Sequence, residues 1–269
     1  INSVAFTRGP GLLGSLLVGT SFAKSLSIGL DVPLIEINHM QAHILSIFIE
    51  SDQKPPNFPF LALTVSGGHT QLVIVKNYFQ MEEIGRTLDD AAGEAFDKSG
   101  KVIGLDYPSG PIIDKLSKKG DPNAFKFTKP KVEGLNFSFS GLKTGFMNFI
   151  KKESLANEDF IKNRLNDICA SIQNTIIDIL IEKIVSAVEI TQIKDIVICG
   201  GVSANSMLRE KTVSAYIGYL PLHSSPKGIT FGYKPSDLPI TEDLANRIVR
   251  LPFFTNLNNS WISYDFKYS

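Results

Sequence analysis

The sequence predicts a mixed α/β fold, and three observations lead to that prediction. Short apolar runs bounded by glycine or proline alternate with segments that carry apolar residues every three or four positions, as strands alternate with helices. Residues 159–189 keep that helical spacing over a long stretch. The runs 60–65 and 195–199 are each followed by paired glycines, which suit a tight turn after a strand.

Charge and cysteine content narrow the class of protein. Lys+Arg and Asp+Glu are both 27, so no overall field attracts nucleic acid and such a partner would need a local patch. The two cysteines, Cys169 and Cys199, argue against a disulfide framework, and we expect both in the core of a cytoplasmic protein. The uncharged stretch 9–23 is shorter than the roughly 20 residues of a membrane span, and no signal peptide is visible. We therefore predict no membrane partner.

The first fifty residues predict strand, helix, strand and helix in turn. Asn38 is expected to cap the last of these, because an asparagine side chain accepts hydrogen bonds from the first free N–H groups of a helix. The chain begins at Ile1, inside an apolar run, so we expect that a preceding segment is missing. The predicted ranges are a buried strand at 1–6, a loop at 7–11, a helix at 12–27, a strand at 32–37 and a helix at 39–49.

The central feature is a predicted β-hairpin. Apolar runs 60–65 and 71–75 flank the turn Ser-Gly-Gly-His-Thr, and glycine takes the positive φ that a tight turn needs. Paired glycines also let backbone N–H groups approach an anion, and Ser66 and Thr70 add hydroxyl donors beside them. The segment fits either an ordinary hairpin or a phosphate cradle.

The later elements continue the alternation. The lysine-rich segment Lys115–Lys131 holds six lysines and one aspartate, and it fits either a solvated surface or a contact with a phosphate backbone. Composition shifts near residue 213 towards Pro, Ser, Asn and aromatic residues, which predicts a core at 1–212 and a separate tail at 213–269. The other predicted ranges are a helix at 89–103, a loop at 104–111, helices from 112 and from Ser140 (as cap), a helix at 159–189, a strand at 195–199 and a glycine turn at 200–205.

Two histidines at helical spacing are candidate metal ligands. His39 and His43 lie at i and i+4, so a helix would place them on one face. Met40 stands where the His-Glu-x-x-His protease motif has its glutamate base, which argues against a metalloprotease. Two imidazoles need a further ligand from elsewhere, and a pair on a solvated surface is an equally good interpretation.

Several polar and glycine residues are candidate nucleotide contacts. Asp97, with Gly110 downstream, fits a ribose contact or a solvated charge, and Asp114 has the same two interpretations. The turn Gly200–Asn205 follows a strand and opens a helix, where a nucleotide can lie on the backbone. A plain strand-to-helix turn is the alternative.

Seven motifs follow one another along residues 1–212: Arg8–Gly19, Asn38–His43, Val65–Leu72, Asp89–Lys98, Gly104–Gly110, Phe137–Thr144 and Cys199–Asn205. In their order and wording they resemble the TsaD family, the family of the subunit that makes threonylcarbamoyladenosine in tRNA.

The resemblance implies a two-lobed α/β fold of the actin, sugar-kinase and Hsp70 type with a nucleotide cleft. It implies transfer of a threonylcarbamoyl group from threonylcarbamoyl-adenylate, itself derived from ATP, to the adenosine next to the tRNA anticodon. It also implies TsaB- and TsaE-like partner subunits, and His39 and His43 as ligands of Fe²⁺. The implied adenylate-binding residues are Thr64, Val65, Ser66, Gly67, Gly68, Asp97, Gly110, Asp114 and Asn205.

The sequence departs from the family pattern at both ends. The family's opening Glu-Thr-Ser-Cys-Asp-Glu-Thr motif is absent, and so is the Thr-Asp-Asn motif whose aspartate is the third metal ligand. Residues 216–255 instead resemble the C-terminal segment of DegT-type sugar aminotransferases, without that family's lysine domain. Glu242 or Asp243 would replace the missing ligand only by chance.

We therefore expect a core truncated at both ends, with activity in question. No residue is an obvious covalent nucleophile, so direct attack by the tRNA amine is the expected chemistry. The alternatives are a non-catalytic scaffold of the same fold and a sugar-kinase-like phosphotransferase. The histidine pair argues against the phosphotransferase, since Mg²⁺ prefers carboxylates.

Overall fold

The computed structural model describes residues 1–49, 55–217 and 248–250. The described residues form the mixed α/β fold that the sequence predicts, but the alternation is incomplete, because three strands and then four helices follow one another between residues 60 and 191. The helices are α1 (Leu13–Leu30), α2 (His39–Leu45), α3 (Ala92–Val102), α4 (Ser109–Ser117), α5 (Ser140–Ala156), α6 (Phe160–Thr191) and α7 (Ser206–Ile217). The strands are β1 (Val4–Gly9), β2 (Leu34–Asn38), β3 (Phe60–Val65), β4 (Thr70–Asn77), β5 (Gln80–Arg86), β6 (Ile196–Cys199) and β7 (Ile248–Arg250).

The first sheet has two parallel strands, β1 and β2, with α1 as the crossover. The prediction that β1 is buried is wrong: Phe6 is half-buried and Ala5 is exposed, because few of the described elements pack on this strand. Strand β1 also runs on to Gly9, through residues expected in a loop. A hollow of about 620 Å³ lies between this sheet and α1, and none of the candidate site residues lines it.

Helix α1 is longer than the uncharged stretch 9–23 suggested. Among the helices of the described residues, α1 is the one that is long and apolar enough to cross a membrane, judged by length and composition only. One such helix near the start of a chain is weak evidence for a membrane span.

The second sheet has the order β5-β4-β3-β6-β7. Strands β3 and β4 form the predicted antiparallel hairpin, with Val65 opposite Thr70. Strand β6 lies parallel to β3 on its other side, so both strands end at the same edge of the sheet. Strand β7, from the segment predicted to be a separate tail, pairs parallel with β6.

Residues of β3 alternate between two cores. Leu61, Leu63 and Val65 face the large cluster formed with α3, α5 and α6, whereas Phe60 and Ala62 face a smaller cluster with Ile44 of α2. This period of two is the geometry of a strand covered on both faces. It fixes the position of the turn that follows Val65.

Both cysteines are buried, as predicted. Burial raises the pKa of the Cys169 thiol to about 12. Burial also raises the pKa of the Cys199 thiol to about 12, although a hydrogen bond with Thr64 acts in the opposite direction. Neither cysteine is therefore a thiolate near neutral pH.

The predicted capping role of Ser140 is wrong. Ser140 is the first residue of α5, and the free N–H groups at this helix end are satisfied by Asp89 from another segment. The Asp89 carboxylate accepts from the backbone N–H of Phe139 at 2.8 Å and of Ser140 at 3.3 Å, and from the hydroxyls of Ser138 and Ser140. A carboxylate placed here satisfies several donors at once, which a single serine hydroxyl does not.

Two other boundaries differ from the predictions. Helix α4 begins at Ser109 and so includes residues assigned to the preceding loop, and α2 gives way after Leu45 to a short 3₁₀ turn. Within the tail, the structure describes only the strand at 248–250 and the backbone of the last turn of α7. Glu242 and Asp243, with most of the aminotransferase-like stretch, lie outside the described residues.

Candidate nucleotide-binding site

The turn between β3 and β4 is closed by hydrogen bonds at its base. The N–H of Ser66 donates to the carbonyl of His69 at 2.8 Å, and the N–H of His69 donates to Oγ of Ser66 at 3.0 Å. Gly67 and Gly68 at the tip are exposed, and a Cβ at either would meet no atom within 4 Å. Neither has the positive φ that we predicted. The glycines thus leave the outer face of the turn open without supplying a left-handed backbone.

The N-terminus of α3 supports this turn from behind. The N–H of Gly93 donates to the carbonyl of Ser66 at 3.2 Å, and a Cβ at Gly93 would lie 2.6 Å from that oxygen. The N–H of Ala92 donates to Oγ1 of Thr70 at 2.9 Å, and Thr70 is buried. The Thr70 hydroxyl, which we predicted as a donor beside the glycines, thus accepts a hydrogen bond from the start of α3.

The two glycine turns meet at one edge of the sheet. A side chain at Gly200 would collide with the carbonyl of Val65, and the φ of Gly200 is 92°, so this position requires glycine. Thr64 and Val65 are fully buried, and Oγ1 of Thr64 lies 3.3 Å from Sγ of Cys199. Their side chains therefore face the core, which leaves only the backbone of these residues for a ligand.

Asp97 joins α3 to α4. Its Oδ1 accepts from the N–H of Ser109, the first residue of α4, at 2.8 Å. Gly110 follows directly, and a Cβ there would contact only the side chain of Phe96, at 3.8 Å. Asp97 is half-buried and hydrogen-bonded at a helix start, so it is not the merely solvated charge that was one of our two interpretations.

Asp114 and Asn205 join α4 to α7. Oδ1 of Asp114 accepts from the N–H and the hydroxyl of Ser206, at 3.1 and 2.7 Å. Oδ1 of Asn205 accepts from the N–H of Leu208 at 3.0 Å, so Asn205 caps α7. Both candidate residues therefore hold the start of the same helix.

These contacts close into a ring, which we call the contact ring. It runs from the glycine turn to α3, from Asp97 to α4, from Asp114 to the start of α7, and through Gly200 back to Val65. The structure therefore brings together residues that lie as much as 141 positions apart in sequence, 64 to 205. The contact ring is formed by Ser66, Gly93, Asp97, Ser109, Asp114, Ser206, Gly200 and Val65. The other candidate residues, Thr64, Gly67, Gly68, Gly110 and Asn205, each lie within two positions of one of these residues in sequence.

The histidine pair lies on α2. Asn38 caps this helix as predicted, accepting from the N–H groups of Met40 at 2.9 Å and Gln41 at 3.2 Å. Nε2 of His39 and Nε2 of His43 lie 3.1 Å apart. Burial lowers the pKa of His43, and the charges of His39 and His69 lower it further.

The spacing of the two Nε2 atoms fits one metal ion. Two imidazole nitrogens that each bind an ion at about 2.0–2.1 Å lie roughly 3 Å apart when they occupy neighbouring positions. Over the described ranges, no group of three or more His, Cys, Asp or Glu side chains is arranged to hold a metal. Among the residues that the structure describes, the two imidazoles therefore have no third side chain of these types to complete a metal site.

The lysine-rich segment contains side chains that pack or pair with the rest of the protein. Phe125 and Phe127 pack against Phe149, with ring centroids 5.0 and 5.4 Å apart, so these rings belong to the interior. Lys129 forms ion pairs with Asp178 and Glu182 on α6. The segment is therefore in part a structural contact between a loop and a helix.

Sequence reasoning missed two polar residues beside the contact ring. Gln173 and Ser117 are buried and hydrogen-bonded to each other, at 2.7 Å from Nε2 of the glutamine to Oγ of the serine. The sequence signal for Gln173 was its polar amide at a position where the helical spacing of α6 otherwise places apolar residues. Asp89 was missed as a cap, because its partners lie 49 to 51 positions away.

The fold and the site define a class of protein. A two-stranded parallel sheet and a five-stranded sheet, with both glycine turns at the carboxyl ends of the parallel strands β3 and β6, fit the predicted two-lobed α/β fold of the actin, sugar-kinase and Hsp70 type. HypF from T. kodakarensis shares the fold, with a TM-score of 0.59 and 14% identity over 81% of this chain and 37% of that one. Full-length HypF in its phosphate- and nucleotide-bound form gives a TM-score of 0.55 at 15% identity, over 79% of this chain and 41% of that one.

The chain belongs to the TsaD family, described as tRNA N6-adenosine threonylcarbamoyltransferase, whose profile matches residues 1–224. The relative of that name from Christiangramia forsetii is 64% identical over 78% of this chain and 62% of its own length. Relatives of the same name from Riemerella anatipestifer and Symbiobacterium thermophilum are 62% and 44% identical, over 78% and 87% of this chain and 62% and 65% of their own. The boundary placed at residue 212 stays a prediction.

Proposed function

We propose that the chain transfers a threonylcarbamoyl group from threonylcarbamoyl-adenylate to the exocyclic amine of the adenosine next to a tRNA anticodon. The chain spans about 62% of the length of the first two relatives described, so its own activity is a proposal. The observation that carries it is the contact ring, which joins the candidate adenylate-binding residues around one open glycine turn.

The glycine turn is the proposed phosphate site. The tip at Gly67 and Gly68 is open, and the N-terminus of α3 lies directly behind it. Exposed backbone N–H groups and a helix N-terminus both favour an anion. The carboxylates of Asp97 and Asp114 keep acceptor capacity for ribose hydroxyls beyond the hydrogen bonds that they already make.

His39 and His43 are the proposed ligands of a ferrous ion. Imidazole suits iron among the transition metals, and the 3.1 Å spacing of the two Nε2 atoms fits one ion. When bound, the ion would supply positive charge that polarises an oxygen of the substrate. Its further ligands would come from substrate, water or residues beyond those described.

The proposed reaction needs no covalent intermediate on the protein. The tRNA amine attacks the carbamoyl carbon, a C–N bond forms, the bond from that carbon to the phosphate oxygen breaks, and AMP leaves as the amine loses a proton. The thiols of Cys169 and Cys199 are buried with pKa values of about 12, so neither competes as a nucleophile. The N–H groups of the turn would stabilise the leaving phosphate.

Proposed partners are tRNA and TsaB- and TsaE-like subunits, in the cytoplasm. Lys115, Lys119 and Lys126 form none of the ion pairs found over the described ranges, so they can contact the RNA backbone. A second candidate function is a scaffold without catalysis. The apolar side chains exposed on α1 favour that candidate, because such a surface is typical of a protein-binding site.

A thermal melt of the chain tests the proposal. AMP and Fe²⁺ should each raise the melting temperature, because a ligand at 100 times its dissociation constant stabilises the folded state by about 2.7 kcal/mol. His39→Ala should lose the response to iron and keep the response to AMP. Modified adenosine should then appear in tRNA incubated with threonylcarbamoyl-adenylate and the chain.

The outcomes separate the two candidates. Responses to both ligands together with a modified nucleoside support the transferase. A cooperative melt that is indifferent to AMP and to Fe²⁺ contradicts it and favours the scaffold.

A further inference from the structure

We infer that Gln173 is a positioning residue, which fixes the side-chain amide of Asn205 in the orientation that the nucleotide site uses. The inference rests on the proposed nucleotide site. Gln173 lies in the middle of α6, is fully buried, and is hydrogen-bonded to Ser117 at the end of α4 and to Asn205 just before α7.

The contacts form one chain of hydrogen bonds. Oγ of Ser117 donates to the carbonyl of Asp114 at 2.9 Å, and Nε2 of Gln173 donates to Oγ of Ser117 at 2.7 Å. Nδ2 of Asn205 donates to Oε1 of Gln173 at 2.7 Å, and Oδ1 of Asn205 accepts from the N–H of Leu208 at 3.0 Å. The chain thus connects Asp114 to Asn205 through the interior.

The two ends of this chain fix the direction of every bond in it. The carbonyl of Asp114 can only accept, so Ser117 must donate to it and must accept from the amide nitrogen of Gln173. Gln173 then presents its oxygen to Asn205. At the other end the N–H of Leu208 can only donate, so Asn205 must offer its oxygen there and its nitrogen to Gln173. Both ends require the same orientation of both amides.

The consequence concerns the groups that Asn205 has left for a ligand. One N–H of Nδ2 and one lone pair of Oδ1 remain, and their directions are set by the bonds to Gln173 and Leu208. Asp114, through its carboxylate, holds Ser206 beside Asn205 at the same helix start. Gln173 therefore links the side chain of Asn205 to the main chain of α4 at Asp114.

Two substitutions at residue 173 separate positioning from packing. Gln173→Met keeps a side chain of similar length and removes both polar groups. Gln173→Glu keeps an acceptor for Asn205, and burial favours its neutral form, which also donates. Thr175→Val is the matched control, because Thr175 is buried on the same helix and its hydroxyl donates only to the carbonyl of Ser171.

The first measurement is the side-chain amide resonance of Asn205 in ¹⁵N-labelled protein, assigned with Asn205→Ala. We expect a hydrogen-bonded, slowly exchanging signal that moves to the free-amide position in Gln173→Met. It should stay in place in Gln173→Glu and in Thr175→Val. Ser117→Ala, which removes the acceptor of the Gln173 nitrogen, should give a smaller displacement and serves if the methionine variant does not fold.

The second measurement is the dissociation constant of ATP. Gln173→Met should weaken binding about threefold to tenfold, the effect of one hydrogen bond, whereas Gln173→Glu and Thr175→Val should leave it nearly unchanged. The inference is overturned if the Asn205 resonance stays in place in Gln173→Met. It is also overturned if the resonance moves but the affinity for ATP does not change. Absence of ATP binding by the unaltered chain contradicts the proposed function instead, and the resonance still decides whether Gln173 positions Asn205.

Discussion

Helices α1 and α6 are both long and rich in apolar residues, yet they lie in opposite surroundings. In α1 only Ala23 and Ser27 are buried, while Val18 and Phe22 are among its exposed side chains. In α6 the buried residues run from Phe160 to Ala187. Helix α6 contacts α3, α4, α5 and α7, whereas α1 contacts mainly the two strands of its own small sheet.

The difference shows that apolar content does not by itself place a helix in a core. An apolar side chain becomes stabilising when another element covers it, since the free energy comes from the area removed from water. The candidate site lies beside α6, in the better-covered region, although its glycine tip is exposed. Its polar side chains Asp97, Asp114 and Asn205 are each held by hydrogen bonds from another element or helix start.

Matched leucine truncations give the largest expected contrast between the two helices. Leu180→Ala on α6 removes a fully buried side chain and should lower the free energy of unfolding by about 2–5 kcal/mol. Leu17→Ala on α1, where the leucine is 58% exposed, should change it by no more than about 0.5 kcal/mol. Urea denaturation of both variants measures the contrast. Equal losses would mean that α1 is covered in solution.

Matched glycine substitutions should have opposite signs. Gly93→Ala places a Cβ 2.6 Å from the carbonyl oxygen of Ser66 and 2.7 Å from Cα of Gly67, so the turn must move, at a cost of about 1–3 kcal/mol. Gly19→Ala on α1 meets no atom within 4 Å and should stabilise the chain by about 0.5–1 kcal/mol.

Thermal melts of the two glycine variants give the comparison, and AMP affinity should fall only for Gly93→Ala. The idea that α3 supports the turn fails if Gly93→Ala binds AMP as well as the unaltered chain does.

The cap of α5 should make the better-packed region sensitive to acid. Burial tends to raise the pKa of Asp89, but hydrogen bonds from Ser138, Ser140 and Phe139 outweigh it and lower the pKa below the ordinary value. A lowered folded pKa means stability that is present above about pH 3.9, the unfolded value. It is lost as the pH falls from there through the folded pKa.

Asp89→Asn should therefore cost about 1 kcal/mol near pH 7, the usual effect of losing a helix cap. The gap between the two proteins should close in acid, as measured by denaturation at several pH values. Stability curves that stay parallel down to pH 3 would exclude a contribution from Asp89 ionisation.

Thiol labelling should show the smallest effect in the well-packed region. Cys169 and Cys199 are buried with pKa values of about 12, so neither should react with iodoacetamide at pH 8 until the chain unfolds. Val18→Cys introduces a matched thiol on the exposed face of α1, where Val18 is 73% exposed, and should react at once. Mass spectrometry of native and unfolded samples reads out both. Rapid native labelling of Cys199 would mean that the edge of β3 and β6 opens.

Much of this fold could be predicted from local sequence, because the signals are local. The alternation of β3 and β4, the Asn38 cap and the spacing of the histidine pair each depend on residues within one or two turns of each other. The cap of α5 was mispredicted because its partner Asp89 comes from a distant segment. The burial of β1 was mispredicted because an apolar run does not reveal what packs against it.

The sequence by itself determined the family, most of the helices and strands of the core, and the types of residue at the candidate site, but it did not reveal strands β5 and β7. Sequence motifs and hydrophobic periodicity carry that information, because both are patterns of residues that are close together along the chain. Only the tertiary structure decided that the glycine turn is supported by Gly93, that Asp97 and Asp114 hold helix starts, and that Gln173 is hydrogen-bonded to Asn205. These facts depend on contacts between segments tens of residues apart, and packing of the whole chain is what brings such segments together.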